Sequence, residues 1–147
     1  MNRPNPLAVL LLAVLLLALP AAAQEPDVRA VIGQPVLALA QQPEMTTALR
    51  FNAGGYRTAL AARLRDPGPP VALAEDRYLH GYGCLPASCR EGGAFLAYDL
   101  REERVFLLLL EQGRVRLSVP PNPHDWPAAL RPALAPFSPA LSEAIGR

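Results

Sequence analysis

Between Gly93 and Val119 three apolar segments follow one another with almost nothing between them. GAFLAYDL (93–100), RVFLLLLE (104–111) and RVRLSV (114–119) are joined only by REE (101–103) and QG (112–113). Parallel strands need a crossover of a dozen or more residues, so connections this short allow only antiparallel neighbours. Just upstream, VALAEDRYLHGYGC (71–84) reads as a strand, a turn at Glu75-Asp76 and a second strand whose Tyr78, His80 and Tyr82 share one face. The expected result is an antiparallel meander of four to five strands. VFLLLL is apolar on both faces, which predicts the central strand. RVRLSV alternates, with Val115, Leu117 and Val119 expected inward and Arg114, Arg116 and Ser118 toward water.

The segments around this meander read as helical or irregular. Residues 24–43 are interrupted by Pro26, Gly33, Pro35 and Pro43 and predict no regular structure. Residues 44–66 predict two short helices divided at Gly54-Gly55, where paired glycines remove helical preference. In the second helix Tyr56, Ala59, Leu60 and Leu64 form one apolar stripe, and Pro67 ends it. The tail from Pro120 onward holds seven prolines and can form only short helical turns, with Asp125 and Ser138 as candidate caps. The fold class is therefore α+β: N-terminal helices packed on an antiparallel sheet, then a short Pro-rich helical tail.

The beginning of the chain has the pattern of an export signal. Polar Asn2, Arg3 and Asn5 precede the apolar LAVLLLAVLLLAL (7–19), then Pro20 and small residues up to Ala23. The apolar run is shorter than the ~20 residues that span a bilayer, and no cysteine follows it to carry lipid. Residues 1–23 are thus read as a cleaved signal and 24–147 as one domain, soluble in the periplasm of a Gram-negative bacterium and not attached to the membrane. All 14 basic residues are arginines. Without Arg3, 13 arginines face 13 carboxylates, so no basic excess marks a nucleic-acid partner. The absence of lysine removes Schiff-base chemistry.

The only cysteines, Cys84 and Cys89, stand with four residues between them in GCLPASCR (83–90). Disulfide oxidoreductases place their thiols two residues apart at a helix start, whereas this pair encloses Pro86 between expected strands. A structural zinc site needs four ligands, and His80 and His124 lack paired spacing, so no metal and no cofactor are expected. The serines lie outside any Gly-x-Ser-x-Gly elbow, and Asp99, Glu102 and Glu103 with Arg101 and Arg104 read as a solvated charged turn. An enzyme is not indicated. In an exporting compartment the cysteines form an intrachain disulfide, and two readings of the closed loop stand side by side. It either pins a turn, leaving a non-inhibitory exported domain with an unknown partner, or stiffens a protrusion for recognition, where stiffness lowers the ordering cost of binding.

The stretch from Val71 to Leu110 resembles the Ivy family, periplasmic inhibitors of vertebrate C-type lysozyme. The resemblance rests on VALAEDRYLHGYGC, the Cys-x-Pro-x-x-Cys pattern at 84, 86 and 89, and GAFLAYDLREERVFLLLL; TTALRFNAGGYRTALAARL (46–64) adds a weaker match. It implies an antiparallel sheet with helices packed on it, often dimeric, and a disulfide-closed loop that enters the lysozyme cleft. The implied contact residues are Leu85, Pro86, Ala87, Ser88 and Arg90, between and beside Cys84 and Cys89. The family's loop lysine, histidine and aspartate correspond here to Leu85, Ala87 and Ser88, so the histidine that meets the catalytic carboxylates is absent. The implied partner is a C-type lysozyme or, given that departure, a lytic transglycosylase-like enzyme.

If residues 1–23 are a signal, the exported chain begins at Gln24. Intact-mass measurement of the secreted protein checks this, and a mass retaining residues 1–23 contradicts it.

Overall fold

The computed structural model describes residues 27–145; the signal assigned to residues 1–23 lies outside them. The short connections all close hairpins. Strands β1 (Ala72–Ala74), β2 (Tyr78–Cys84), β3 (Gly92–Asp99), β4 (Arg104–Glu111) and β5 (Arg114–Val119) form one antiparallel sheet in chain order. At the β4–β5 turn, Gln112 and Gly113 both have positive φ, +51° and +72°. That is the turn geometry whose twist matches the flanking strands. The centre of the sheet is β3, with β4 beside it, so the expectation that VFLLLL would be central is corrected by one strand. The glycines and alanines of β3 lower its apolar signal, yet every residue in it is buried.

That burial needs a cover on each face. On one side α1 (Val36–Ala40), α2 (Pro43–Asn52) and α3 (Arg57–Arg63) pack Leu39, Met45 and Leu60 against Leu79, Leu96, Leu107 and Leu109. On the other, the tail with α4 (Arg131–Leu134) and α5 (Pro139–Ala144) packs Trp126, Leu130, Leu134 and Phe137 against Tyr78, Phe95, Phe106 and Leu108. On β5, Leu117 and Val119 pack on the helix-side core as expected, while Arg114 is exposed and Arg116 and Ser118 are half-buried. The inward placement of Val115 is corrected. Register passes from Leu109 opposite Leu117 to Leu110 opposite Val115, so Arg116 is an extra residue. This bulge moves Val115 to the tail side, where it is 45% exposed.

The prolines punctuate helices instead of abolishing them. Pro35 stands at the N-cap of α1 and Pro43 opens α2, so residues 28–40, expected to be irregular, contribute Val31, Val36 and Leu39 to the core. Ser138 occupies the N-cap of α5 without a side-chain bond; the turn expected near Pro127 is Ala128–Leu130, whose N-cap is Pro127 and not Asp125, and Asn122 caps the separate turn Pro123–Asp125. Tyr56 ends a 3-10 turn and is 39% exposed, so the buried stripe begins at Leu60. Among the described residues no helix is long and apolar enough to cross a membrane.

The charged turn after β3 is more than a solvated tip. Asp99 is 1% exposed and accepts bonds from Arg77 Nε and Nη2 at 2.8 and 2.5 Å, and from the backbone N–H groups of Arg101 and Glu102. Arg77 also reaches Glu102 at 2.9 Å. The bond from Arg77 is the main reason the Asp99 carboxyl is held below its usual range; burial opposes it, and the backbone donors add to it. Because the folded value is depressed, the stabilisation is complete above the unfolded pKa of about 3.9 and disappears as pH falls through the folded value. Asp99→Asn is expected to lower stability near neutral pH by about 2 kcal/mol. Urea midpoints of both proteins from pH 7 to 2 should converge below about pH 4; a pH-independent gap contradicts the assignment.

Candidate functional site

The loop at the end of β2 is closed as expected. Cys84 and Cys89 form a disulfide with Cα atoms 4.6 Å apart. Cys84 lies in the last pair of the β2–β3 ladder, opposite Gly93, and its N–H donates to the carbonyl of Pro67 at 2.9 Å. Leu85 N–H donates to the Gly92 carbonyl at 2.8 Å, extending the closure by one bond. On the far side of the ring, Gln112 and Gly113 donate to the carbonyls of Glu91 and Arg90 at 3.0 and 2.9 Å. The β4–β5 turn therefore braces the loop from its second flank.

The glycines around the ring allow backbones to meet. A Cβ at Gly83 would stand 2.4 Å from the Arg63 carbonyl oxygen and 2.6 Å from that of Asp66, so the end of α3 rests directly on the strand leading into the loop. A Cβ at Gly93 would meet Phe137 at 2.8 Å and the Cys84 sulfur at 3.1 Å. Phe137 packs in turn on Tyr82 and Phe95, with centroids 5.5 and 5.8 Å away. The frame thus gathers contributions from α3, β2, β3, the β4–β5 turn and the tail. Of these, Arg63 and Phe137 were not expected from sequence to frame the loop, and Pro67 and Gln112-Gly113 were read only as a helix stop and a hairpin connection; the glycines flanking the loop are the sequence signal of close backbone approach.

Within the ring the expected contact residues separate. Leu85 is half-buried and its side chain lies over Gly92, so it helps seat the loop. Pro86, Ala87 and Ser88 are exposed. The Ser88 hydroxyl oxygen accepts from the Glu91 N–H at 3.2 Å, and its O–H stays free to donate. Arg90 is exposed, lies beside Gly113 and makes no ion pair among the described residues. The result is a blunt, uncharged tip with one cation at its shoulder.

The remaining candidates stay apart from this loop. His80 is stacked on Phe95, with ring planes 12° apart, and desolvation lowers its pKa, so it is a neutral core-facing ring. His124 lies in the exposed 3-10 turn of the tail. Among the described residues no group of three or more His, Cys, Asp and Glu side chains could hold a metal.

The close contact at Gly83 gives a stability test. Gly83→Ala should force the end of α3 off β2 and cost roughly 2 kcal/mol or more. Replacing both cysteines by alanine should cost about 2 kcal/mol, the value for closing so short a ring. Chemical denaturation measures both; a Gly83→Ala protein as stable as the parent contradicts the packing described.

No curated protein and no solved structure matches the chain at a significant level. A family model does, described as inhibitor of vertebrate lysozyme (Ivy), over residues 44–140. The matched span begins at α2, contains the whole sheet and the closed loop, and ends at the start of α5. With the five-stranded antiparallel sheet, the helical cover and the Cys84–Cys89 bond, this establishes that the chain belongs to the Ivy family of vertebrate lysozyme inhibitors.

Proposed function

We propose that this protein acts in the periplasm, after cleavage of residues 1–23, by inserting the loop of residues 84–89 into the substrate cleft of a C-type lysozyme. The observation that carries this reading is the exposed Pro86-Ala87-Ser88 tip on a ring tied to the sheet on both flanks. A loop already held in one shape loses little freedom on binding, so contact energy is not consumed in ordering it. Lysozyme cleaves glycosidic bonds with an acid glutamate and a partner aspartate in one cleft. A plug there need only exclude substrate.

The polar contacts must differ from those of a histidine-bearing loop. Ala87 offers no side-chain donor, which leaves the Ser88 hydroxyl, backbone groups of the tip and Arg90. The guanidinium of Arg90, which makes no ion pair among the described residues, complements an acidic cleft, chiefly by steering approach and orientation. Because Ala87 weakens the link to lysozyme in particular, a lytic transglycosylase-like enzyme of the cell wall is the second target for the same loop. Under the competing reading, a purely structural disulfide in a non-inhibitory domain, neither enzyme would respond.

Turnover of C-type lysozyme in the presence of micromolar purified protein is the test. Inhibition is expected, and Ala87→His should tighten it by about tenfold or more, the effect of one hydrogen bond to a charged group. Absence of inhibition by both proteins, with the disulfide formed, contradicts the lysozyme assignment. Inhibition of a lytic transglycosylase alone would transfer the loop's role to that enzyme.

A further inference from the structure

A groove of about 260 Å³ runs between α1, α2 and α3, on the helix-covered side of the sheet. Leu37, Leu49 and Leu60 line it, and Arg50, Arg57 and Arg65 stand along its rim. Leu37 precedes the segment matched by the family model, so one wall comes from outside that match. The three arginines form no ion pair among the described residues. Arg57 donates to the Arg50 carbonyl at 2.8 Å and Arg65 to the Ala61 carbonyl at 2.7 Å, neutral acceptors that leave the charges uncompensated. Arg63, between them in sequence, instead faces Asp66 at 2.9 Å.

An apolar trough with a rim of one sign selects for both halves of its occupant. We infer that the groove binds a monomeric anionic amphiphile, a single aliphatic chain ending in a carboxylate, with the chain along Leu37, Leu49 and Leu60 and the head group among Arg50, Arg57 and Arg65. The volume lies just below that of typical cofactor pockets, which suits one chain better than a ring system. A peptide would bring backbone N–H and C=O groups onto walls with few polar partners, at a desolvation cost an alkyl chain does not incur. Each methylene removed from water strengthens binding by roughly fourfold, so affinity should rise with chain length until the trough is full. Guanidinium groups pair well with a carboxylate through parallel N–H donors. A membrane surface is a worse fit, because docking on lipid uses protruding apolar side chains and this surface is concave.

Titration of the purified protein with dodecanoate below its micelle concentration, followed by backbone amide NMR, tests the inference. Saturable shifts at Leu37, Leu49 and Leu60 are expected, with dodecyltrimethylammonium binding at least tenfold more weakly. Arg50→Glu with Arg57→Glu should weaken dodecanoate at least tenfold at unchanged thermal midpoint, and Ala61→Phe should block the trough without altering rim charge. Equal binding of the two probes overturns the inference, as do shifts confined to other surfaces or binding only to phosphatidylglycerol vesicles. The comparison of probes uses the unaltered protein, so a variant that fails to fold does not weaken it. The outcome is independent of lysozyme inhibition, since none of these residues belongs to the loop.

Discussion

The structure depends on the burial of the β3–β4 hairpin on both of its faces. An antiparallel sheet commonly leaves one face wet, but here Leu96, Leu107 and Leu109 point one way and Phe95, Phe106 and Leu108 the other, all fully buried. Two separate covers are therefore required. The helices before the sheet supply one. The tail supplies the other through Trp126, whose ring meets Phe106 edge-on at 5.3 Å and whose indole N–H reaches the Pro120 carbonyl at 3.3 Å. Arg131 ties the end of the tail back by donating to the Ile145 carbonyl.

Those two covers also clamp the base of the loop. The end of α3 presses on Gly83 from the helix side, and Phe137 sits against Gly93 and the Cys84 sulfur from the tail side. The disulfide then closes a ring whose base is already clamped, which is why its local effect on shape matters more than its modest contribution to stability. A loop in this setting can keep one shape while its tip sequence varies. In this chain the frame of Cys84, Pro86 and Cys89 is retained, while the tip carries Ala87 and Ser88. Shape and chemistry at the site are thus separable: the scaffold fixes where the tip sits, and Ala87 and Ser88 set the chemistry it presents.

Much of this was legible in the sequence, for identifiable reasons. The two- and three-residue connections permitted only hairpins, so strand order followed directly. The cysteine pair with Pro86 between strands pointed to the loop, and Tyr78, His80 and Tyr82 were read onto one strand face. What escaped was information carried by distant contacts. Nothing local marks Pro120 to Ile145 as a second cover, because its prolines split Leu130, Leu134 and Leu141 among three short helical turns with no continuous period. Asp99 read as a turn carboxylate, since Arg77, 22 residues earlier, is brought to it only by the β2–β3 register. Val115 was misplaced because a bulge at Arg116 interrupts an alternation that looked regular.

The central claim, that residues 86–88 enter the cleft of a C-type lysozyme, is tested most directly by position and not by activity. A small diazirine amino acid at position 87, irradiated in the mixed complex, labels whatever the tip touches. The expected result is a cross-link to lysozyme peptides that flank its catalytic carboxylates, suppressed by a chito-oligosaccharide that fills the cleft. A cross-link to the outer surface of the enzyme, or one indifferent to the sugar, would contradict the claim.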